Sequence, residues 1–274
     1  MRILVTNDDG IDAPGLHHLA RAMTTLGDVV VVAPDREFSG AGAAIGAIWD
    51  IQPHVARARI DGVPEAWAVN GPPALCVMYA RFGAFGGNFD VVVSGINPGA
   101  NVGRSVYHSG TIGACLSGRN GGWSGIAVSQ ASAGWGLEGQ AEHEVIDLQK
   151  WHVAAEVART FVAGFLADPP DEVVIVNLNV PNVELDQIAG WATTEVGLLP
   201  PRAMSAAELV PQDGSPDQFD VKITWGTSND LPVHTDGGAI EHDMVSVTYL
   251  SRLEAETRTD LGKAEAALDG LLGS

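Results

Sequence analysis

Arg2-Ile3-Leu4-Val5-Thr6-Asn7-Asp8-Asp9-Gly10 is the stretch whose reading decides the fold. Arg2–Thr6 is short, apolar and β-branched, which is the pattern of a buried strand. Inside a strand, neighbouring side chains point to opposite faces, so Asp8 and Asp9 can share a ligand only where the strand ends. Gly10 permits the sharp turn that lets them converge. Ligands of open α/β sheets bind outside the carboxyl ends of the strands, where this pair falls. Two readings follow. Either the carboxylates share a divalent cation, or Asp8 caps the next helix and Asp9 is solvated.

Working outward, strands and helices alternate through the first half of the chain, which predicts a mostly parallel sheet. A helix is expected over about 15–26, with Leu16, Leu19, Ala20 and Met23 on one face, then the strand Asp28–Ala33. Trp67–Val69 is a short strand, and Pro72 and Pro73 suit a helix's first turn. Asp90–Ser94 and Gly125–Ser129 are strands that flank a glycine-rich loop and a helix over about 109–120. A long helix over 144–166 places Leu148, Trp151, Ala155, Ala158, Val162 and Phe165 against the sheet, followed by the strand Val173–Leu178. Residues 1–182 therefore read as the catalytic core. From 183 to 250 the segments Trp191–Val196, Phe219–Thr224 and Val245–Leu250 alternate between Pro- and Gly-rich turns. That pattern suggests antiparallel strands, a β-rich hairpin excursion that covers the site or joins another subunit. Residues 251–274 contain a last helix near 260–272, with Leu261, Leu268 and Leu271 inward, packing on the core or on a neighbour.

Composition narrows the partners. A chain of 274 residues with net charge −19 holds a proper core, but lacks the basic surface that nucleic-acid polymers or anionic membranes require. Lys150, Lys222 and Lys263 are its lysines. Such a protein binds a small phosphate through a metal, backbone N–H groups or an isolated arginine. Cys76 and Cys115 are expected to be buried, reduced thiols. No charged-then-apolar leader and no membrane span is read, so a soluble, cytoplasmic protein is expected.

Four loops are expected along the carboxyl edge of the sheet. The first carries Asp8 and Asp9. The second, Ala33-Pro34-Asp35-Arg36-Glu37-Phe38-Ser39-Gly40-Ala41-Gly42, offers the Ser39 hydroxyl. The third runs from Ser94 to Gly103 with Asn97 and Asn101, and the fourth, Ser109-Gly110-Thr111, opens a helix. Carboxylate, amide and hydroxyl oxygens together suit Mg²⁺, Mn²⁺ or Ca²⁺ and suit structural zinc poorly. A helix N-terminus of small residues presents N–H donors to an anion. Rival motifs are weak. Gly40-x-Gly42 before Gly46 misses the dinucleotide spacing and follows the wrong strand, and there is neither a Walker lysine nor a Gly-x-Ser-x-Gly elbow. His17 and His18 read as surface residues. His234, Asp236, Glu241, His242 and Asp243 read as a solvated turn more readily than as a second metal site.

These motifs resemble the SurE survival-protein family. The match is carried by Asn7–Gly10, Ala33–Arg36 with Ser39-Gly40, Ser94–Gly103, Ser109–Thr111, Asn177–Pro181, Thr235-Asp236 and Val245–Thr248, in that order. The resemblance implies a three-layer α/β/α, Rossmann-like core with a C-terminal hairpin that helps build a homodimer or homotetramer. It implies a metal-dependent phosphatase of nucleoside 5′- and 3′-monophosphates with one divalent ion, Mg²⁺ or Mn²⁺, per subunit. The implied ligands are Asp8, Asp9, Ser39 and Asn97, with Asp8 and Asp9 as the catalytic pair. Gly40, Asn101, Ser109, Gly110 and Thr111 would contact phosphate, while Arg36 and Arg104 are candidate substrate contacts. Departures from the family pattern are Pro72 for threonine, Leu75 for aspartate, His108 for tyrosine and Ser117 for glutamate. They point to two alternatives, a phosphatase of another phosphorylated metabolite or a binding protein without turnover.

Overall fold

β-Branched runs that are apolar at every position bury both faces, and the centre of this chain is built from such runs. The computed structural model describes residues 1–46, 53–132, 146–199, 201–212, 214–215, 217–253 and 255–272. β1 (Arg2–Thr6), β2 (Asp28–Pro34), β3 (Val55–Ala58), β4 (Glu65–Val69), β5 (Val91–Pro98), β6 (Ser124–Gln130), β7 (Ile175–Val180), β8 (Gly190–Thr194) and β11 (Met244–Leu250) form one nine-stranded sheet. Its spatial order is β3-β4-β2-β1-β5-β6-β7-β11-β8. All neighbours are parallel except β3 on β4 and β11 on β7. The order reverses between β1 and β5, which opens a crevice at their carboxyl ends.

Helices cover both faces. α1 (Pro14–Met23) and α4 (Trp151–Ala167) pack on Ile3, Val5, Val29, Val31, Val91 and Val93. On the other face, α2 (Pro73–Arg81) lies over Leu4, Val30, Val32 and Val92. Beside it, α3 (Gly110–Arg119) packs on Ala127 and Ile175. Ile3 and Val5 thus face one layer and Leu4 the other, as the two-residue period requires. Each fully buried side chain of this kind contributes about 1.5–3 kcal/mol over an exposed one. The expected three-layer, mostly parallel architecture is present.

Boundaries differ for local reasons. α1 stops at Met23 because Thr24 and Thr25 turn their hydroxyls back onto the carbonyls of Arg21 and Ala22. Leu148, expected on the packed face of the long helix, precedes α4 and is exposed. The expected start of that helix at 144–145 lies outside the described residues. The span 183–250 divides: β8 and β11 belong to the main sheet, and only β9 (Arg202–Pro211) and β10 (Phe219–Ser228) leave it as an antiparallel hairpin. α6 (Gly262–Leu272) buries none of its residues, so Leu261, Leu268 and Leu271 do not face inward as expected. The exposed segment after β11 carries that helix off the body, and its apolar stripe finds no cover within the described chain.

The cluster expected as a solvated turn is the larger surprise. Asp236 opens the short helix α5 (Asp236–Glu241) and is fully buried. Its Oδ1 accepts the N–H groups of Gly197 (2.9 Å) and Gly237 (2.8 Å), and its Oδ2 accepts that of Gly103 (2.9 Å). One carboxylate therefore ties the far edge of the sheet to the loop after β5. Burial pushes its pKa up while the three N–H groups pull it down. In Asp236→Asn one oxygen becomes an NH₂ that must face another donor. The expected cost is about 1–3 kcal/mol in urea denaturation with an unchanged m-value; a change below about 0.5 kcal/mol would show that the clamp carries little energy.

Candidate active site

Asn7 ends the buried run of β1, and its side-chain amide donates to the carbonyl of Gly10 at 3.0 Å, closing the turn. Gly10 sits at φ +104°, and a Cβ there would lie 3.1 Å from the backbone of Arg36. The turn thus brings the second loop against the first, and the Phe38 N–H donates to the Asp8 carbonyl at 2.7 Å. Asp8 caps no part of α1, whose N-cap is Ala13 without a side-chain bond. Asp8 is buried and Asp9 is half-buried with its Oδ2 closed off from solvent, so the reading of a helix cap beside a solvated aspartate fails.

The N-terminus of α3 meets this pair. Ser109 caps the helix, its Oγ accepting from the Ile112 N–H at 3.2 Å. The Thr111 hydroxyl donates to Asp8 Oδ1 at 2.6 Å. A Cβ on Gly110 would come within 2.8 Å of Asp8 Cβ and Oδ2, so glycine is what allows the helix to approach. Burial raises the pKa of Asp8, opposed by the Thr111 hydroxyl and the N–H groups of Thr111 and Gly110. Asp9 is raised further, first by burial and then by the charges of Asp8 and Glu37. Its Oδ2 is buried without a hydrogen-bond partner. An orphaned carboxylate oxygen beside a second buried carboxylate is a position that a cation neutralises.

The remaining donors are mixed. Asn97 is buried, and its amide nitrogen donates to the Gly99 carbonyl at 2.7 Å, which fixes the orientation of the amide. Ser39 is half-buried and donates to Glu37 Oε1 at 2.7 Å. Gly40 is exposed at φ +78°, with open space where a Cβ would stand. Asn101 is held on every side: its N–H donates to Asn179 Oδ1 (2.8 Å) and its amide nitrogen to Ser129 Oγ (2.9 Å). Its carbonyl accepts from Asn177 (2.8 Å) and Asn179 (3.2 Å). No group of three or more His, Cys, Asp or Glu side chains gathers among the described residues. The donors available to a metal are therefore two carboxylates with amide and hydroxyl oxygens, a set that fits a hard cation.

Glu37 is the residue that the sequence reading passed over. It acts on Asp9 through space and holds Ser39, and its place between Asp35 and Ser39 on a sheet-edge loop was the available signal. Arg36 is exposed, pairs with Asp35 at 3.1 Å and stacks over Phe38. Arg104 is also exposed. His108 contributes its carbonyl, which accepts from the Gly42 N–H at 2.9 Å, and Ser117 ties α3 to α2 by donating to the Ala74 carbonyl at 3.0 Å. Cys76 and Cys115 are free and buried, and burial pushes both thiols far up. Among the described residues no helix is long and apolar enough to cross a membrane.

A doubly wound α/β sheet with two adjacent carboxylates and a helix N-terminus at its switch point defines the class. Residues 3–200 match the family model described as Survival protein SurE, and the chain belongs to that family. It is 35% identical over 259 residues to the 5′-nucleotidase SurE of Aeromonas hydrophila subsp. hydrophila, covering 92% of each chain. It superposes on the crystal structure of SurE protein from Aquifex aeolicus with a TM-score of 0.73 at 28% identity, covering 99% of this chain and 100% of that one.

The close approach of α3 is directly testable. Gly110→Ala adds a methyl group that overlaps Asp8, against a helix-propensity gain of at most about 1 kcal/mol. Overpacking of about 1–3 kcal/mol is expected to win, lowering the urea midpoint. A stabilised variant would show that the approach is looser than this geometry.

Proposed function

We propose that the protein is a phosphomonoesterase that releases phosphate from nucleoside 5′- and 3′-monophosphates, using one Mg²⁺ or Mn²⁺ ion per subunit. The observation that carries this reading is the buried Asp8 beside the half-buried Asp9, whose Oδ2 is enclosed without a partner, set against the N-terminus of α3. The name of the Aeromonas relative supports a nucleotide as substrate; the 3′-activity rests on the family resemblance. Asp8, Asp9, Ser39 and Asn97 would hold the ion. When bound, it supplies positive charge to a phosphate oxygen and acidifies a water molecule.

The chain's own groups divide the remaining work. Thr111 fixes the orientation of Asp8 through its 2.6 Å hydrogen bond. Asp9, whose Oδ2 has no hydrogen-bond partner in the chain, takes the proton of the attacking water. Ser109, the first turn of α3, the Gly40 N–H and the second amide hydrogen of Asn101 receive the non-bridging oxygens. Negative charge on the non-bridging oxygens in the transition state meets the positive end of the helix. Free buried thiols fit a reducing compartment, which supports a cytoplasmic location.

Asp9→Asn is expected to lower phosphate release from nucleoside monophosphates by about 10²–10⁴-fold. Its thermal midpoint should not fall, because a buried repulsion is removed. Chelation should abolish release from the parent protein and added Mn²⁺ should restore it. Preserved turnover in Asp9→Asn would break the mechanism, and nucleotide binding without release from any ester would make the protein a non-catalytic binder.

The assembly is proposed from the hairpin. Pairing places Phe219, Val221 and Ile223 opposite Pro211, Leu209 and Ala207, so these residues share one exposed face. Asp220, Lys222 and Glu208 lie on the other. A two-stranded ribbon is marginal alone, and an apolar face of this size is covered when a second copy of the chain packs on it, as a homodimer or homotetramer. The double variant Val221→Asp/Ile223→Asp should reduce the mass measured by light scattering to that of the monomer or dimer. An unchanged mass places the interface elsewhere.

A further inference from the structure

A pocket of about 230 Å³ opens beside the Ser39-Gly40 turn. Phe38, Ile45, Pro72 and Leu75 form its apolar wall, with Arg36 and Asn70 as its long polar side chains. Leu75 sits in the first turn of α2 and is buried, close enough that a Cβ on Gly71 would lie 2.6 Å from its Cδ2. The pocket and the Asp8–Asp9 site share one loop. The Phe38 N–H donates to the Asp8 carbonyl (2.7 Å), the Gly42 N–H donates to the His108 carbonyl (2.9 Å), and Ser39 and Gly40 lie between them. Phe38 thus belongs both to the pocket wall and, through its N–H, to the loop that carries Asp8.

Pocket chemistry decides what can sit there. At 230 Å³ the space falls below the range of about 300–1,000 Å³ that holds a whole drug-sized ligand, so it takes one ring-sized part of a molecule. A polyhydroxylated group would strip its hydroxyls of water against Phe38, Ile45, Pro72 and Leu75 with too few partners to replace it. An aspartate at position 75 would offer such a partner, and leucine does not. Arg36 is already engaged with Asp35 and stacked on Phe38, with its guanidinium carbon 4.8 Å from the ring centre.

We infer that this pocket receives the organic group of the phosphomonoester and selects an apolar ring over a polyhydroxylated one, with Leu75 and Ile45 as specificity-determining residues. The inference rests on the phosphomonoesterase reading above.

The experiment compares kcat/KM for phenyl phosphate and ribose 5-phosphate with Mn²⁺, in the parent protein and in Leu75→Asn and Ile45→Asn. Ile45 is exposed enough that its replacement leaves the core intact. The parent should prefer phenyl phosphate by about tenfold or more, the discrimination that an apolar pocket provides. Both variants should lose most of that ratio through a higher KM for phenyl phosphate, with ribose 5-phosphate unchanged. Equal use of the two esters by the parent, or an equal fall on both in the variants, overturns the inference while leaving the phosphomonoesterase reading intact. If no ester is hydrolysed, that reading fails, and calorimetric titration with phenylphosphonate and methylphosphonate decides the pocket alone. Binding of phenylphosphonate at least about tenfold tighter, lost in Ile45→Asn, supports it, and equal binding removes it.

Discussion

The 2.6 Å hydrogen bond from Thr111 to Asp8, at the point where a helix N-terminus meets the end of the central strand, is the constraint on which the site depends. An unpaired carboxylate in a protein interior costs several kcal/mol. Asp8 offsets that cost with a hydroxyl and two backbone N–H groups of α3. Asp9 lacks such help and keeps an oxygen without a partner. The asymmetry divides the pair into one carboxylate that is held and one that keeps an oxygen without a partner. The same contact explains the glycine at position 110, since any side chain there would push Asp8 away from the helix.

Around this contact the loops lock one another. The second loop is joined to the first by Phe38 and to the start of α3 by Gly42. The third is fixed from behind by Asn177 and Asn179 on β7 through Asn101, and from the edge of the sheet by Asp236 through Gly103. Backbone N–H groups in such loops would otherwise be buried without partners. The acidic character of the chain thus has two roles inside the fold. Asp8 and Asp9 gather negative charge at the switch point of the sheet, and Asp236 satisfies backbone donors between loops.

Much of this was legible in residue order. Buried strands announced themselves as valine-rich runs, and the four sheet-edge loops as clusters of Gly, Asn, Ser and Asp. Asp236 was not legible, because a buried carboxylate held by three N–H groups has the same local sequence as a solvated one. The stripe of Leu261, Leu268 and Leu271 is apolar as expected but is not covered by the described chain itself, because periodicity marks a face without saying what covers it. Glu37 was passed over for the same reason: its influence on Asp9 comes from proximity across a turn.

By itself the sequence determined the parallel sheet, the position of the carboxylate pair at the end of the first strand, and the hairpin-forming alternation late in the chain. These are consequences of spacing along one segment, and spacing is local. Only the tertiary structure decided that β8 and β11 extend the main sheet while β9 and β10 leave it. It alone decided that Thr111 serves Asp8, that Asp236 ties the loops of Gly103 and Gly197 to its own helix, and that Pro72 and Leu75 meet Phe38 in one pocket. Each of these joins residues tens of positions apart, and such distances close only when the sheet order and the packing of helices on it are set.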